Sequence, residues 1–250
     1  MDNIYNKNFY LFNTEPISSI SKIMDIILPR IPKVHSAVDV GCGIGIWLSY
    51  LQNHGVVDIF GIDGPWVDKC ELRIPLDRFK SVDLAQPLNI ERRFDLAISL
   101  EVAEHLPAIR AECFVMELTT LADYVLFSAA IPFQGGRNHL NEQWPSYWID
   151  LFRKQGYVAK DWIRPQIWGD QTISPWYRQN LFLFVSRNRV SELQLVDTGD
   201  SELQMPIDLV HPEIYLPKVN GESVRAGLGL ALLALKSRWI RICSGGGWRG

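Results

Sequence analysis

Between residues 37 and 130, short apolar runs alternate with stretches of helical spacing. The helical stretches are 46–54 and 110–122, and the runs that predict strands are 37–40, 57–62, 79–82, 94–99 and 124–130. Almost continuous apolar strands joined by helical crossovers are typical of a parallel sheet that is covered on both faces. The sequence therefore predicts an α/β fold.

Further elements are predicted on either side of this region. A helix over 17–28 precedes it and stops at Pro29, because proline breaks a continuing helix. A helix over 145–155 follows it, and two strands, 157–163 and 181–185, come next with an aromatic loop between them. We interpret these two strands as a terminal antiparallel hairpin, which brings the predicted sheet to seven strands.

Composition excludes several classes of protein. Hydrophobic residues make up 47% and charged residues 21%, so the chain can bury a core and is not intrinsically disordered. The longest apolar run, 226–235, is shorter than a bilayer-crossing helix, which needs about 20 residues. The chain also does not open with an export signal, so we expect a cytoplasmic protein. No C-x-x-C pair is present, which indicates reduced thiols at Cys42, Cys70, Cys113 and Cys243.

The net charge of −3 is unevenly distributed. Residues 221–250 carry five Lys or Arg and one Glu, and residues 1–220 carry the opposing net charge of −7. An acidic body argues against a nucleic-acid partner. We predict a catalytic domain over 1–187, a polar linker over 188–222 and a basic amphipathic helix with a flexible tail over 223–250. That helix could lie on a membrane surface, dock on a partner enzyme, or pack on its own domain.

A glycine-rich turn follows the first predicted strand. It has glycines at 41, 43 and 45, and acids stand at the ends of three later strands: Asp63, Asp83 and Glu101. In an open parallel sheet, ligands bind outside these strand ends. A tight structural turn would also use glycine, and a dinucleotide fingerprint would place its third glycine near Trp47, where the chain has none, so NAD is the weaker alternative.

The stretch Val38-Asp39-Val40-Gly41-Cys42-Gly43-Ile44-Gly45 resembles the first motif of class I S-adenosylmethionine-dependent methyltransferases. Residues 81–88 resemble the adenine motif of that family, and the likeness covers about residues 36–187. It implies a Rossmann-like seven-stranded sheet with a reversed last strand. It also implies that Asp63 accepts the ribose hydroxyls and that Asp83 and Leu84 hold the adenine. The complete set of expected cofactor residues is Asp39, Gly41, Gly43, Gly45, Trp47, Asp63, Asp83, Leu84 and Leu100.

A second group of candidate residues begins at the tip of the fourth strand. If Glu101, Glu104 and His105 are helical, they lie on one face, and His139 from a later loop could join them. Two carboxylates and imidazole can hold Mg²⁺ or Mn²⁺. The pattern resembles the metal site of small-RNA 2′-O-methyltransferases and ubiquinone-pathway O-methyltransferases. Alternatively, the histidines only line the acceptor pocket, where His139 or His105 would be the general base.

Aromatic and amide side chains follow the fifth strand and suggest an acceptor. Flat aromatic faces beside amides and acids suit a sugar ring. The stretch 138–148 resembles methyltransferases of bacterial surface-polysaccharide and other glycan pathways, which implies methylation of a sugar hydroxyl. A small quinone, phenol or natural product is the alternative acceptor, and a non-catalytic S-adenosylmethionine-binding module is the alternative of another class. The expected acceptor contacts are Asn138, Glu142, Trp144 and Trp168.

Overall fold

A computed structural model describes residues 17–194 and 206–219 of the chain. Its strands are β1 (Ser36–Val40), β2 (Asp58–Asp63), β3 (Phe79–Ser81), β4 (Phe94–Leu100), β5 (Ala122–Ser128), β6 (Tyr157–Lys160) and β7 (Phe182–Ser186). Its α-helices are α1 (Ile17–Ile27), α2 (Ile46–Asn53), α3 (Ala111–Leu121), α4 (Pro145–Lys154), α5 (Arg164–Ile167), α6 (Pro175–Asn180) and α7 (Pro212–Val219). The chain divides into two compact units, Met1–Leu209 and Val210–Gly250.

The seven strands form one sheet in the order β3-β2-β1-β4-β5-β7-β6. Strands β1 to β5 pair in parallel, whereas β7 is antiparallel to both of its neighbours. The predicted Rossmann-like sheet, with its terminal hairpin and reversed last strand, is therefore confirmed. The strand order reverses between β1 and β4, so the carboxyl ends of these strands form the switch point where ligands bind in this kind of sheet.

Apolar side chains cover both faces of the sheet. Along β5, Leu126 points into one apolar layer while its neighbours Val125 and Phe127 point into the other. Helices α1, α2 and α6 contribute to the first layer, and α3 and α4 contribute to the second. Within α1, Ile20, Met24 and other apolar residues at helical spacing are fully buried. Burial of apolar surface on both faces holds the strand ends, and therefore the site, in fixed positions.

The segment after β4 differs from the predicted helical face. Glu101 has a φ of 54°, in the left-handed region, and only Ala103–His105 form a short 3₁₀ helix. The backbone N–H of Glu101 donates to the carbonyl oxygen of Ser128 at 3.0 Å, which holds this turn against β5. The expectation that Glu101, Glu104 and His105 share one helical face is therefore wrong.

Other segments also differ from the sequence expectations. The aromatic loop before β7 contains helices α5 and α6, and the predicted linker contains a 3₁₀ helix, Arg187–Glu192, in addition to α7. Cys42, Cys70 and Cys113 are free thiols, as expected. The predicted C-terminal helix over 223–250 and Cys243 lie outside the described residues. In the described ranges, no helix has the length and apolar character needed to span a membrane.

Candidate functional site

The glycine turn joins β1 to α2 at the switch point of the sheet. Gly41 and Gly45 have φ values of 88° and 82°, which L side chains rarely adopt. A Cβ at Gly41 would lie 2.3 Å from Val102 Cγ2, and a Cβ at Gly45 would lie 3.0 Å from Ile74 Cγ1. Glycine is therefore required at both positions, by conformation and by space. A backbone of this shape lets a nucleotide-like ligand approach closely.

Asp63, the last residue of β2, is bonded to the glycine turn. Its Oδ2 accepts a hydrogen bond from the N–H of Gly43 at 2.7 Å, and its Oδ1 accepts one from the N–H of Gly64 at 2.6 Å. Burial raises the pKa of Asp63 to about 6, although these donors favour its charged form. Asp39 in β1 is also buried, and its pKa is raised by burial and then by the charge of Asp63. The fold thus brings the carboxylate of Asp63 into contact with the glycine turn.

Trp66 is a site residue that no sequence pattern indicated. Its indole Nε1 donates to Asp63 Oδ1 at 3.1 Å, and its ring lies so close to Gly64 that a Cβ there would be 2.1 Å from Trp66 Cζ2. Because Oδ1 receives two donors, only Oδ2 has a lone pair left for a further hydrogen bond. Asp63 is expected to accept hydrogen bonds from both ribose hydroxyls. In this structure, the indole of Trp66 occupies one of the positions at which its carboxylate can accept them.

The predicted adenine motif also lies beside β2. The N–H of Val82 donates to the carbonyl oxygen of Asp63 at 2.8 Å. The side chain of Asp83 is exposed and accepts a hydrogen bond from the N–H of Ala85 at 3.0 Å, which forms a local turn. Leu84 is buried. The structure therefore brings Asp83 and Leu84 to the same edge of the sheet as Asp63, and their contact with adenine stays a prediction.

Two further residues expected at the cofactor are part of the core. Trp47 is buried in α2, and its ring lies edge-on to that of Tyr177, with centroids 5.9 Å apart. Leu100, the last residue of β4, is buried in the same apolar layer. Packing alone accounts for both side chains, so their role toward a cofactor also stays a prediction.

Glu104, His105 and His139 converge near the tip of β4, and we call them the acid–histidine cluster. One ligand atom from each lies within 4.8 Å of the others. Segments distant in sequence meet here because the carbonyl oxygen of Glu104 accepts hydrogen bonds from the N–H groups of Leu140, at 2.7 Å, and Asn141, at 3.0 Å. The two imidazole rings are nearly perpendicular, with centroids 4.8 Å apart.

The carboxylate of Glu104 is the most unusual group in the cluster. It is fully buried, and neither of its oxygens has a hydrogen-bond partner among the described residues. Burial, and then repulsion from Glu101, raise its pKa. A buried unpartnered carboxylate costs folding free energy unless a cation or donor joins it. Its presence beside two imidazoles fits a divalent ion, because one carboxylate and two histidines leave coordination positions open.

Each histidine of the cluster is oriented by a neighbour. Burial, and then the charge of His139, lower the pKa of His105 to about 4, while the carbonyl groups of Asn138 and Arg137 act in the opposite direction. His105 is therefore neutral near pH 7 and able to bind a metal. The Nδ1 of His139 lies 2.8 Å from Glu142 Oε1. Metal-binding and general-base histidines both need such an orienting partner.

Glu142 differs from its expected role as an acceptor contact. Its Oε2 accepts from the N–H of Phe133 at 2.8 Å, and its Oε1 accepts from the N–H of Gly135 at 2.9 Å. Although burial raises the pKa of Glu142, hydrogen bonds from His139 and these two N–H groups lower it overall. Its carboxylate is therefore committed to the loop after β5 and to His139.

Glu101 is placed differently from the other predicted metal ligands. Its Oε2 accepts from the side-chain amide of Gln134 at 3.0 Å, and its Oε1 accepts from that of Asn180 at 3.2 Å. Gln179, which is also buried, donates to Gln134 Oε1 at 3.1 Å and extends this amide network. Burial raises the pKa of Glu101, and the amide donors oppose that effect. The four-residue metal set is thus reduced to the acid–histidine cluster.

The aromatic side chains do not form one surface. Trp162, Trp176 and Tyr177 belong to an apolar layer of the core, and Trp148 is buried against Phe127, with ring centroids 5.3 Å apart. The expectation of a shared aromatic acceptor surface is therefore wrong.

The four expected acceptor contacts are also separated. Asn138 is exposed, with a φ of 58°, and Trp144 is 37% exposed. Both come from the segment that carries His139 and Glu142. Trp168 follows α5, and its carbonyl oxygen accepts from Arg178 Nη1 at 3.2 Å. Asn138 and Trp144 are thus candidates for the acceptor side of the site, and the contact of Trp168 with the acceptor stays a prediction.

Several solved structures are similar to this chain. The sugar N-methyltransferase KedS8 from a Streptoalloteichus species has a TM-score of 0.56 and 15% identity, over 72% of this chain and 92% of that chain. DesVI of Streptomyces venezuelae has a TM-score of 0.51 and 14% identity, over 72% and 95% of the two chains. Magnesium protoporphyrin IX methyltransferase from Synechocystis, solved with bound SAM, has a TM-score of 0.49 and 20% identity, over 74% and 85%.

The sequence comparisons identify the family. No curated protein sequence matches the chain significantly. A family model described as "Methyltransferase domain" matches residues 15–145, which is just over half of the chain. This range contains the glycine turn, Asp63 and the acid–histidine cluster. The chain therefore belongs to the methyltransferase-domain family.

Proposed function

We propose that the chain transfers a methyl group from S-adenosylmethionine to a hydroxyl of a sugar or glycan, in the biosynthesis of bacterial surface polysaccharides or other glycans. The observation that carries this proposal is the buried, unpartnered carboxylate of Glu104 beside His105 and His139. A hydroxyl must lose its proton as it is methylated, and this cluster contains groups that promote that loss. KedS8, described as a sugar N-methyltransferase, supports a sugar acceptor only through its similar fold.

The glycine turn and Asp63 together are suited to bind S-adenosylmethionine. The turn lacks the Cβ atoms that would hold a ligand away from the backbone, and the Asp63 carboxylate has a free lone pair on Oδ2 for a ribose hydroxyl. Asp83 and Leu84 would hold the adenine, while Asp39, Trp47 and Leu100 would surround the remainder. Bound S-adenosylmethionine supplies a methyl group that is already strongly electrophilic. The protein's task is to align the acceptor with it and remove a proton.

The acid–histidine cluster fits Mg²⁺ or Mn²⁺ as well as an acceptor. Glu104 would offer an oxygen, and His105 and His139 would offer imidazole nitrogens, a mixed set that admits Mn²⁺. A metal held there would lower the pKa of the acceptor's hydroxyl. If no metal is bound, His139 is the general base, because Glu142 already holds its Nδ1. In both cases His139 acts on the acceptor's hydroxyl, directly or through the ion.

The segment before α4 supports a sugar as the acceptor. Trp144 presents a partly exposed indole, and the amide of Gln143 donates to Asn141 Oδ1 at 2.9 Å, so polar groups lie along the same segment. Asn138, also exposed, precedes His139 directly. An apolar ring face beside amides is the combination that binds the C–H face and the hydroxyls of a sugar.

Transfer of radiolabelled methyl groups tests the proposal. The purified chain is incubated with labelled S-adenosylmethionine and a panel of monosaccharides, oligosaccharides, phenols and quinones. Each acceptor is tested after EDTA treatment and again with Mg²⁺ or Mn²⁺. The Glu104→Gln variant is compared with Glu91→Gln, a matched control, because Glu91 is exposed and precedes β4 at the opposite edge of the sheet.

We expect labelled methyl groups to appear in a sugar acceptor, and we expect added metal to restore this transfer after EDTA treatment. Glu104→Gln should reduce the transfer rate about 100-fold, whereas Glu91→Gln should not change it. Transfer only to phenols or quinones would contradict the sugar acceptor. Equal transfer with and without EDTA would contradict the participation of a metal and leave His139 as the general base. Tight binding of S-adenosylhomocysteine without transfer to any acceptor would support a non-catalytic binding module instead.

A further inference from the structure

Glu142 is enclosed by donors on the loop after β5. Each of its oxygens accepts a backbone N–H, from Phe133 at 2.8 Å on Oε2 and from Gly135 at 2.9 Å on Oε1. Oε1 also lies 2.8 Å from His139 Nδ1. Backbone N–H groups can only donate, so the carboxylate is held in one orientation whatever the state of the histidine.

The proton between Glu142 and His139 belongs to the imidazole. A carboxyl group is more acidic than imidazolium, with ordinary pKa values of about 4.3 and 6.5, and two backbone N–H donors make the charged carboxylate still more favourable. Nδ1 of His139 is therefore the donor to Oε1. In the neutral ring the other nitrogen, Nε2, then carries the lone pair, and it is the ring nitrogen that Glu142 does not hold.

The imidazole of His139 is also held by packing. A Cβ at Gly136 would lie 2.1 Å from His139 Nε2, so the ring rests where only glycine leaves room for it. The ring of His105 meets it edge-on, with centroids 4.8 Å apart. Hydrogen bonding at Nδ1 and contact on both sides leave the ring little freedom to turn.

We propose that Glu142 is a positioning residue that holds His139 as the Nδ1–H tautomer and so presents Nε2 to the acceptor's hydroxyl or to a metal. The use of Nε2 rests on the function proposed above, whereas the tautomer itself does not. Glu142 acts through His139 and does not contact the acceptor. Loss of its charge would leave His139 in place but with a different nitrogen protonated.

Imidazole NMR of the full chain tests this inference without acceptor or metal. Long-range ¹H–¹⁵N spectra of uniformly ¹⁵N-labelled protein are recorded at about pH 8, above the ordinary pKa of histidine. The His139→Gln variant assigns the signals of His139. The same spectra are then recorded for Glu142→Ala, which removes the acceptor at Nδ1, and for Glu142→Asp, which keeps the acceptor charge. Affinity for S-adenosylhomocysteine confirms that each variant is folded.

We expect His139 to show a protonated Nδ1 and an unprotonated Nε2 in the parent and in Glu142→Asp. In Glu142→Ala we expect the Nε2–H tautomer to become the major form, because neutral imidazole favours it when Nδ1 has no acceptor. A parent spectrum with the proton on Nε2 would overturn the inference, and so would the same tautomer in Glu142→Ala as in the parent. If Glu142→Ala does not fold, the parent and Glu142→Asp spectra still decide the tautomer. Absence of methyl transfer to any sugar would contradict the proposed function and leave the tautomer result unchanged.

Discussion

The indole Nε1 of Trp66 donates a hydrogen bond to Oδ1 of Asp63, the carboxylate oxygen that also receives the N–H of Gly64. Asp63 is the residue expected to bind the cofactor ribose, so Trp66 competes with a ribose hydroxyl for the same oxygen. Two donors fill Oδ1, and a hydroxyl can reach it only if the indole moves away. We therefore expect Trp66 to weaken the binding of the cofactor.

Replacement of Trp66 tests this competition. In Trp66→Phe the ring is kept but the N–H donor is lost, so Oδ1 is available to the ribose. We expect the affinity for S-adenosylhomocysteine to rise about fivefold, the equivalent of about 1 kcal/mol for one hydrogen bond. Isothermal titration measures it, with Trp144→Phe as the control on the acceptor side. Weaker binding by Trp66→Phe would show instead that Trp66 contributes directly to the cofactor site.

The ionisation of Asp63 predicts a pH dependence of cofactor binding. Burial raises its pKa to about 6, and a protonated carboxyl has less capacity to accept hydroxyl donors. We expect the affinity for S-adenosylhomocysteine to be constant above pH 7 and to fall as the pH drops below about 6, by up to about tenfold per pH unit. Titrations across this range check the midpoint. Binding by Asp63→Asn should be weaker and independent of pH there, and the same slope in that variant would assign the effect to another group.

Proton linkage gives the sign of the effect of Asp63 on stability. The native state holds this proton more tightly than the unfolded chain, where the pKa is about 3.9. The contribution of Asp63 to the free energy of unfolding is thus fully present below pH 4 and is lost as the pH rises to about 6. Ionised Asp63 is retained at neutral pH although its burial lowers stability, in agreement with a binding role.

The buried carboxylate of Glu104 predicts opposite effects on stability and function. In Glu104→Met, a side chain of similar length replaces a buried carboxyl group that has no hydrogen-bond partner among the described residues. We expect the free energy of unfolding of the metal-free variant to be about 1–3 kcal/mol higher than that of the parent. We also expect the variant to lose methyl transfer. Chemical denaturation in EDTA measures the stability, with Glu91→Met as the exposed control. A less stable Glu104→Met would mean that the parent carboxylate has a stabilising partner.

Gly136 predicts a variant that displaces His139 alone. A Cβ at this position would lie 2.1 Å from His139 Nε2, whereas a Cβ at Gly169 would meet nothing within 4 Å. In Gly136→Ala the imidazole must shift by about 1 Å, and a shift of this size can lower the rate about 100-fold. We expect that loss in methyl transfer, with unchanged affinity for S-adenosylhomocysteine. Gly169→Ala is the matched control, and full activity of Gly136→Ala would remove His139 from the reaction.

The fold could be predicted from the sequence because local patterns determine it. Apolar runs place the strands, and Gly41 and Gly45 mark a turn that few other residues can form. The loop after β5 was harder, because its contacts join residues with no fixed spacing. Glu142 is a residue type that could contact the acceptor, but its carboxylate accepts hydrogen bonds from two N–H groups of its own loop.

The site differs from its prediction where side-chain direction matters. The spacing of Glu101 and Glu104 suggests one helical face, and the left-handed φ of Glu101 turns its carboxylate toward Asn180 instead. Similarly, the sequence shows Gly64 and Trp66 as neighbours but not that the ring lies over the glycine and reaches Asp63. Contacts of this kind depend on the folded backbone, and periodicity carries no signal for them.

Methyl transfer by His139→Gln, compared with His35→Gln, tests most directly whether the acid–histidine cluster carries the reaction. His35 is exposed and precedes β1 at the opposite edge of the sheet, so it controls for the loss of an imidazole. Transfer from labelled S-adenosylmethionine to the best sugar acceptor is measured in each variant, with the affinity for S-adenosylhomocysteine. We predict a loss of at least about 100-fold in His139→Gln only, with unchanged affinity. Equal transfer rates in the two variants would contradict the role of the cluster.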